Sequence, residues 1–566
     1  MPWPFHFIAL SDAQVASTRR ALDRYGLASN ISPLAPVIAY LACRAGAWLY
    51  YERFSRKAKT DIKYTALSVY PGPNSAKLTT SLKGAVFLRK FKWWLASDVL
   101  LGWGKRSVWV ASLLWTTWLL FLSLNSTQAD YKHVTKRIAI VAVAQMPLQY
   151  IASMRWRYSP LALLFEVSHQ EIVPYHRALG RIIYTLCMVH AALYLNLFIQ
   201  QHILVDVMFS RAVITGVISA VSMSILVVTS TSVVRIRYYR IFYLVHFVIG
   251  SALPLVLIMH ASHLRIYVIE SFLILMIDMA LRKFASFSQP AAINPAANGR
   301  LVRITMPLSE IQSDPFRKAP GSHVYLSLAT PSKLQVPFSS PFSVQAANVD
   351  GITLMLRTRK GPVIQNLKTL AISEHSMHEL KLEGPYGSAR HFPNFATDFS
   401  RSLLIAGGIG ATFILPVYQS IQREFEEQNM PPRPTKFIWV AKTEADVAWA
   451  TSSREDYSAE DGSSIDVFLT GRERESRPMN EHVAEEGTEL QVQQRKDYLE
   501  KSGWSFASGR PDLRQCVDDF FHHASETEPV AVLVCGPRGL VRDLRSEVGR
   551  WVDRGQNIWW HEEHFG

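Results

Sequence analysis

Four histidines stand out by their spacing. His176 and His190 lie fourteen residues apart in one apolar stretch, and His246 and His260 lie fourteen apart in another. On a helix, fourteen residues rise about 21 Å and return to within about 40° of the starting azimuth. Both rings of a pair then face the same way, near opposite ends of a membrane-length helix. With the two helices parallel, His176 is level with His246 and His190 with His260. Imidazoles from two facing helices can fill both axial positions of a haem iron, so the pattern predicts two bis-histidine haems stacked across a bilayer. A solitary intramembrane histidine serves as readily to bridge helices by hydrogen bonding. One spacing repeated on two helices favours the ligand reading. His133, His169, His202 and His263 read as loop or interface residues.

A second chemistry lies in the C-terminal half. Residues 401–412 form an apolar strand entering a glycine turn, Gly407-Gly408-Ile409-Gly410, followed by Ala411-Thr412 and a helical run. Glycines there let the backbone approach a pyrophosphate, and the helix start supplies amide donors, although a glycine turn after a strand is often only structural. Strands at Phe437–Lys442 and Ala531–Val534, the latter leading into Cys535-Gly536-Pro537, predict an open parallel sheet with ligands beyond its carboxyl ends, where Gly407, Lys442 and Cys535 fall. Polar stretches at 451–463 and 471–500 read as surface insertions around the strand Ile465–Leu469. Upstream, strands at 301–304, 324–328 and 352–356 predict an antiparallel barrel. In that region Ser340-Pro341-Phe342-Ser343 could set a ring and a hydroxyl beside a flat cofactor, or form a plain strand edge.

These elements need a membrane frame. Apolar segments near 31–50, 107–124, 137–153, 176–199, 211–231, 240–262 and 264–282 predict about seven transmembrane helices, the first interrupted by Arg44. Lys and Arg concentrate in alternate loops and after the last segment, which places the C-terminal half in the cytosol. The sequon Asn125-Ser126-Thr127 falls on the opposite side. This distribution accounts for a net charge of +14 over 566 residues without nucleic acid, since no basic face interleaved with aromatics is present. The four cysteines, Cys43, Cys187, Cys516 and Cys535, show no metal or disulfide spacing. The N-terminus lacks a cleavable-signal pattern, so insertion is expected to rely on an internal helix.

Together these motifs resemble the ferric reductase and NADPH oxidase family of membrane flavocytochromes over about residues 105–566, and the stretch Tyr175–Arg181 ending at His190 is especially similar to the fungal ferric and cupric-chelate reductases. The resemblance implies a multi-domain α+β membrane protein. It would comprise an N-terminal segment (1–105) with one transmembrane helix and a basic cytosolic loop, a six-helix domain with two b-type haems (106–285), an FAD-binding β-barrel (296–390) and a Rossmann-like NADPH domain (400–566) of ferredoxin-reductase type. It implies haem iron on His176, His190, His246 and His260, and FAD on Ser340, Pro341, Phe342 and Ser343, with Phe565 covering the flavin. Gly384-Pro385-Tyr386-Gly387 would end the flavin domain. NADPH would be held by Gly407, Gly408, Gly410, Thr412, Lys442, Arg510, Cys535, Gly536 and Pro537, with Cys535 at the nicotinamide. The family usually has His where Ser340 stands and often Arg where Lys442 stands; Gly509-Arg510-Pro511 resembles a further phosphate motif.

The implied function is an NADPH-dependent metalloreductase that passes electrons through FAD and two haems to ferric or cupric chelates across the membrane. A superoxide-generating NADPH oxidase and a scaffold without redox activity are the alternatives. The plasma membrane suits metal uptake; endoplasmic reticulum or vacuole would suit other roles. Oligomeric state is open.

Overall fold

The structure is a computed structural model that describes residues 5–8, 10–61, 75–100, 103–296, 301–328, 340–357, 367, 369–370, 377–451, 463–471, 504–525 and 528–563. The chain divides into two compact units, Met1–Lys83 with Leu95–Lys283, and Gly84–Trp94 with Phe284–Gly566.

The first unit is helical. Among the described residues five spans, Asp12–Leu49, Arg106–Leu124, His169–Gln200, Arg211–Thr229 and Tyr239–His260, are long and apolar enough to cross a membrane. The other two expected segments are helical but differ from these. Residues 137–153 are divided between helices Tyr131–Val143 and Met146–Ile151, with Pro147 in the first turn of the second, where its missing N–H costs nothing. Arg265–Ala285 forms one helix that carries Glu270, Asp278, Arg282 and Lys283. Outward side chains such as Leu113, Leu114, Val217, Val221 and Val248 are each more than half exposed, a surface matched to lipid. Inside, the hydroxyls of Ser123, Thr215, Ser219 and Ser271 each donate to the carbonyl four residues earlier, so these four groups are satisfied within their own helices.

The break at residues 144–145 has a purpose in packing. Gln145 Nε2 donates to the Ser29 carbonyl at 2.6 Å, and its Oε1 accepts from Trp115 Nε1 at 3.0 Å, so one buried amide ties three helices together. Nearby, the fully buried Arg137 packs its guanidinium 3.7 Å over the Tyr25 ring and sits 2.8 Å from His133 Nε2. Asn125 of the sequon donates its amide to Tyr25 Oη at 2.8 Å.

The second unit holds a closed barrel of six strands in the order β1-β2-β5-β4-β3-β6 (β1 Ser286–Ala296, β2 Leu301–Pro307, β3 His323–Leu328, β4 Ser340–Asn348, β5 Gly351–Arg357, β6 His378–Tyr386). Every ladder is antiparallel, and the inward positions Ile304, Met306, Val324, Leu326, Ile352, Leu354 and Leu382 are buried to within 1 %. β1 starts at Ser286, directly after the last helix. A parallel sheet follows in the order β10-β9-β8-β7-β11-β12 (β7 Arg401–Gly407, β8 Thr435–Ala441, β9 Ser463–Leu469, β10 Trp504–Ser508, β11 Pro529–Cys535, β12 Asn557–Glu563). Its central strands β7 and β11 read as unbroken apolar runs because helices cover both faces of such a sheet. Of the stretches 451–463 and 471–500, residues 452–462 and 472–500 lie outside the described residues.

Residues 84–94 also fold into this unit. They end a helix, Ser75–Leu95, whose Trp93 meets Trp560 of β12 edge-on at 5.5 Å between ring centroids. Arg545, on helix Arg538–Asp553, lays its guanidinium 4.3 Å from the Trp93 ring and donates to the Trp93 carbonyl at 3.2 Å. A stretch read from sequence as basic loop is thus part of the C-terminal unit.

Candidate functional site

In the helical unit, His176 and His246 face each other with ring centroids 6.2 Å apart and planes at 65°. His190 and His260 lie fourteen residues further along the same two helices. All four rings engage Nδ1 outside their pair. His176 Nδ1 lies 3.0 Å from the Gln149 carbonyl, His190 Nδ1 2.8 Å from that of Thr135, and His260 Nδ1 2.8 Å from that of Ala212. His246 Nδ1 lies 3.0 Å from Ser230 Oγ. A proton on Nδ1 shared with a carbonyl leaves Nε2 as the lone-pair nitrogen, the tautomer a metal requires. The partners come from helices that run antiparallel to each histidine helix, 135–149 against 190–176 and 212–230 against 260–246. Glycines recur one turn after each inner histidine. The three atoms nearest a Cβ at Gly180 all belong to the Gln149 amide, and one at Gly250 would find no atom within 4 Å among the described residues.

Spacing could reveal the histidines because the side chain is the functional group. Three of their four partners are backbone carbonyls, for which sequence carries no signal. Of the remaining histidines, His133 Nε2 lies beside the Arg137 guanidinium and His263 lies 3.3 Å from Asp23.

In the barrel, β4 carries Ser340 to Ser343 and pairs with β3, so that Ser343 lies opposite His323 and Pro341 opposite Tyr325. Ser343 is buried beside an aromatic group in which His323 stacks on Tyr386 at 6.0 Å and Tyr325 meets Tyr386 edge-on at 5.3 Å. Nothing in the sequence pattern marks His323 or Tyr325 as neighbours of the Ser-Pro-Phe-Ser stretch, because barrel closure brings them together.

At the sheet, the carboxyl ends of β7, β8, β10 and β11 bring Gly407, Lys442, Arg510 and Cys535 to one edge. The glycine turn and Cys535-Gly536-Pro537 are in contact: a Cβ on Gly407 would stand 2.6 Å from Pro537 Cδ, and one on Gly410 would collide with the Cys535 carbonyl. Both positions therefore exclude side chains. Thr412, in the first turn of helix Ala411–Glu427, is buried and donates to the Ile409 carbonyl at 2.8 Å. Lys442 and Arg510 are exposed at strand ends separated by β9. Cys535 is 1 % exposed, and burial pushes its thiol well above the usual range, with Glu563 adding to the effect. Both effects favour the neutral thiol. Phe565 lies outside the described residues.

Two residues that sequence reading passed over join this edge. Glu563, at the end of β12, pairs in register with Cys535 and is 5 % exposed. His561 Nε2 lies 3.2 Å from Glu563 Oε2 and 3.3 Å from Ser388 Oγ, with its ring 4.7 Å from that of Phe392. The available signal was the apolar run Ile558-Trp559-Trp560 ahead of His561, which marks a last strand.

A model of the ferric reductase like transmembrane component matches residues 138–257, and one of the ferric reductase NAD binding domain matches residues 399–549. The first takes in His176, His190 and His246; His260 lies just beyond it. The protein named "Probable metalloreductase AIM14" of Clavispora lusitaniae is 25% identical over 476 residues, covering 77% of this chain and 84% of its own. "Ferric reductase transmembrane component 1" of Schizosaccharomyces pombe is 22% identical over 472 residues, covering 76% of this chain and 79% of its own. A relative in Scheffersomyces stipitis with the same name as the first is 24% identical over 508 residues, covering 84% and 90%. With its apolar spans, six-stranded barrel and parallel sheet, this chain is an integral-membrane oxidoreductase that carries the transmembrane and NAD-binding domains of the ferric reductase family.

Proposed function

We propose that the protein carries electrons from cytosolic NADPH through FAD and two b-type haems to ferric or cupric chelates on the opposite side of the membrane. The observation that carries this reading is the His176–His246 gap of 6.2 Å between centroids. A metal–imidazole bond of about 2 Å on each side, plus roughly 1 Å from each nitrogen to its ring centre, spans about 6 Å. Among the described residues no three or more His, Cys, Asp or Glu side chains converge on a metal position. Two imidazoles are few for a bare ion, yet they complete a haem, whose macrocycle supplies four donors of its own. Gln149 also suits a displaceable neighbour. Its Nε2 is 3.4 Å from His176 Nε2, while its Oε1 is buried with no hydrogen-bond partner.

When bound, a flavin takes up a hydride and gives electrons singly, which haem requires. The chain's own residues do the rest. The glycine turn admits a pyrophosphate, and the neutral Cys535 thiol packs where a nicotinamide would meet the flavin. Lys442 and Arg510, both solvent-facing, favour a 2′-phosphate and hence NADPH. Ser343, Phe342 and the His323–Tyr386 group would border the flavin, and Ser340 gives that site no imidazole. His176 and His246 would hold the haem nearer the cytosol, His190 and His260 the other. With two histidines committed to each haem, the protein would leave no open coordination position for the acceptor, which would have to take up electrons without being bound by the metal. A role in extracellular metal reduction would require the plasma membrane.

Intact cells expressing the full-length chain test the reading. They should reduce an impermeant ferric chelate without oxygen, and membranes from them should oxidise NADPH only when chelate is supplied. NADPH oxidation that requires dioxygen and ignores ferric chelate would identify an oxidase instead. Activity seen only after lysis would move the protein to an internal membrane.

A further inference from the structure

We propose that the helix ending at Leu95 has two working sides: one carries the C-terminal unit, and the other, through Phe87, Phe91 and Trp94, inserts into the cytosolic leaflet among anionic lipid headgroups. The inference takes its sidedness from the loop charges and does not depend on the NADPH reading.

At about 100° per residue, Val86, Arg89, Lys90 and Trp93 share one side of helix Ser75–Leu95, and Phe87, Leu88, Phe91 and Trp94 share another. The first side is occupied. Its four residues are half-buried; a Cβ on Gly549 would stand 3.1 Å from Trp93 Nε1, and one on Gly555 would stand 3.8 Å from Val86 Cγ2. The second side faces outward. Phe87, Leu88, Phe91 and Trp94 are 67%, 56%, 45% and 46% exposed, with Phe87 stacked on Phe91 at 6.3 Å and Phe91 on Trp94 at 6.0 Å. Four large apolar side chains in one exposed row mark an interaction surface.

Charge names the partner. Lys92 stands one turn after Leu88 and Lys90 one turn before Trp94, so a lysine flanks the row at each edge. From Ser75 to Leu95 the chain carries five Lys and Arg residues and no Asp or Glu. An aromatic row bordered by cations, without a carboxylate, is the pattern of a helix lying in a bilayer interface, where the rings sit at headgroup level and the lysines reach anionic lipid.

The chain also brings the row to the membrane. Ser97, two residues beyond Leu95, accepts the Arg106 N–H at 2.8 Å, and Arg106 opens the span Arg106–Leu124. Two residues reach at most about 7 Å, so the helix ends close to where the chain enters the bilayer. In the same turn Trp109 Nε1 donates to the Trp103 carbonyl at 2.9 Å, and the two exposed rings stack at 5.7 Å, as an aromatic belt at that level would.

Spin labelling of the full-length protein in lipid nanodiscs tests this, in a Cys43→Ser background that removes the exposed native thiol and serves as the blank. In discs containing phosphatidylserine, a label at Phe91→Cys should be relaxed more by oxygen, which concentrates in lipid, than by a water-soluble nickel chelate. A label at Ala85→Cys, exposed on the same helix about 120° away, should show the reverse. The ratio of lipid-inserted to water-exposed label at Phe91→Cys should fall about tenfold or more in pure phosphatidylcholine, and likewise when Lys90→Gln and Lys92→Gln are combined. Equal water exposure at the two labelled positions overturns the proposal, and so does an insertion ratio indifferent to lipid charge. A Phe91→Cys label that is aqueous in discs yet shielded in native membranes would assign this face to a protein partner and overturn it equally. Should Phe91→Cys not fold, the label moves to Phe87→Cys and the same readings decide.

Discussion

His176 and His246 meet across 6.2 Å, and each is steadied from behind, His176 by the Gln149 carbonyl and His246 by Ser230 Oγ. Ser230 is the one side chain among the four Nδ1 partners, and so the one that substitution can remove. It also caps helix Arg211–Thr229, at whose C-terminal end it lies.

Ser230→Ala is expected to weaken the His176–His246 site while sparing the His190–His260 pair. Loss of such an outer partner typically costs 10–100-fold in metal affinity. Haem-to-protein ratio and a spectroscopic redox titration would measure it, with one component of the titration displaced and the other unmoved. Two unmoved components would show that the Ser230 contact has no part in ligation.

Gly410→Ala should separate the two halves of the electron path. Its Cβ would collide with the Cys535 backbone carbonyl, a rigid neighbour, and overpacking of this kind costs about 1–3 kcal/mol. NADPH-driven haem reduction should fall by at least about tenfold, while dithionite should reduce the haem fully. Normal NADPH-driven reduction would mean the turn is not the nucleotide site.

The sequence made some of this architecture visible and hid the rest for physical reasons. Strands β7 and β11 were legible because a strand buried on both faces is apolar throughout. β1 was not, since Ser286–Ala296 contains Pro290 and Pro295 and lacks alternation, and its pairing with both β2 and β6 comes from barrel closure. The histidine spacing was legible because ligands must be side chains. Thr135, Gln149 and Ala212 act through carbonyls, which any residue would provide.

Trp93 gives the C-terminal unit a stabilising contact from a distant part of the chain. Trp93→Ala removes the edge-on contact with Trp560 and the face under Arg545, and leaves the carbonyl that Arg545 bonds. The unit should lose about 2–4 kcal/mol, seen as a lower melting temperature and faster proteolysis of the C-terminal half, with the haem spectrum unaffected. An unchanged melting temperature would show that residues 84–94 contribute nothing to its stability.

Cys535 makes a pH dependence testable. Burial raises its thiol pKa above the unfolded value, so its contribution to stability is fully present below the unfolded pKa of about 8.5 and is lost as pH rises through the folded one. Thermal melts should therefore fall more steeply above about pH 8.5 in the wild type than in Cys535→Ala. Parallel slopes would mean the thiol ionises in the fold as it does in the unfolded chain.

The most direct test of the central claim is a dithionite-reduced minus oxidised spectrum of membranes containing the full-length protein and its His190→Ala variant. The wild type should show a b-type haem band, and the variant should keep about half of it, because His176 and His246 still hold one haem. The account is contradicted if the wild type shows no b-haem band, or if His190→Ala retains all of it.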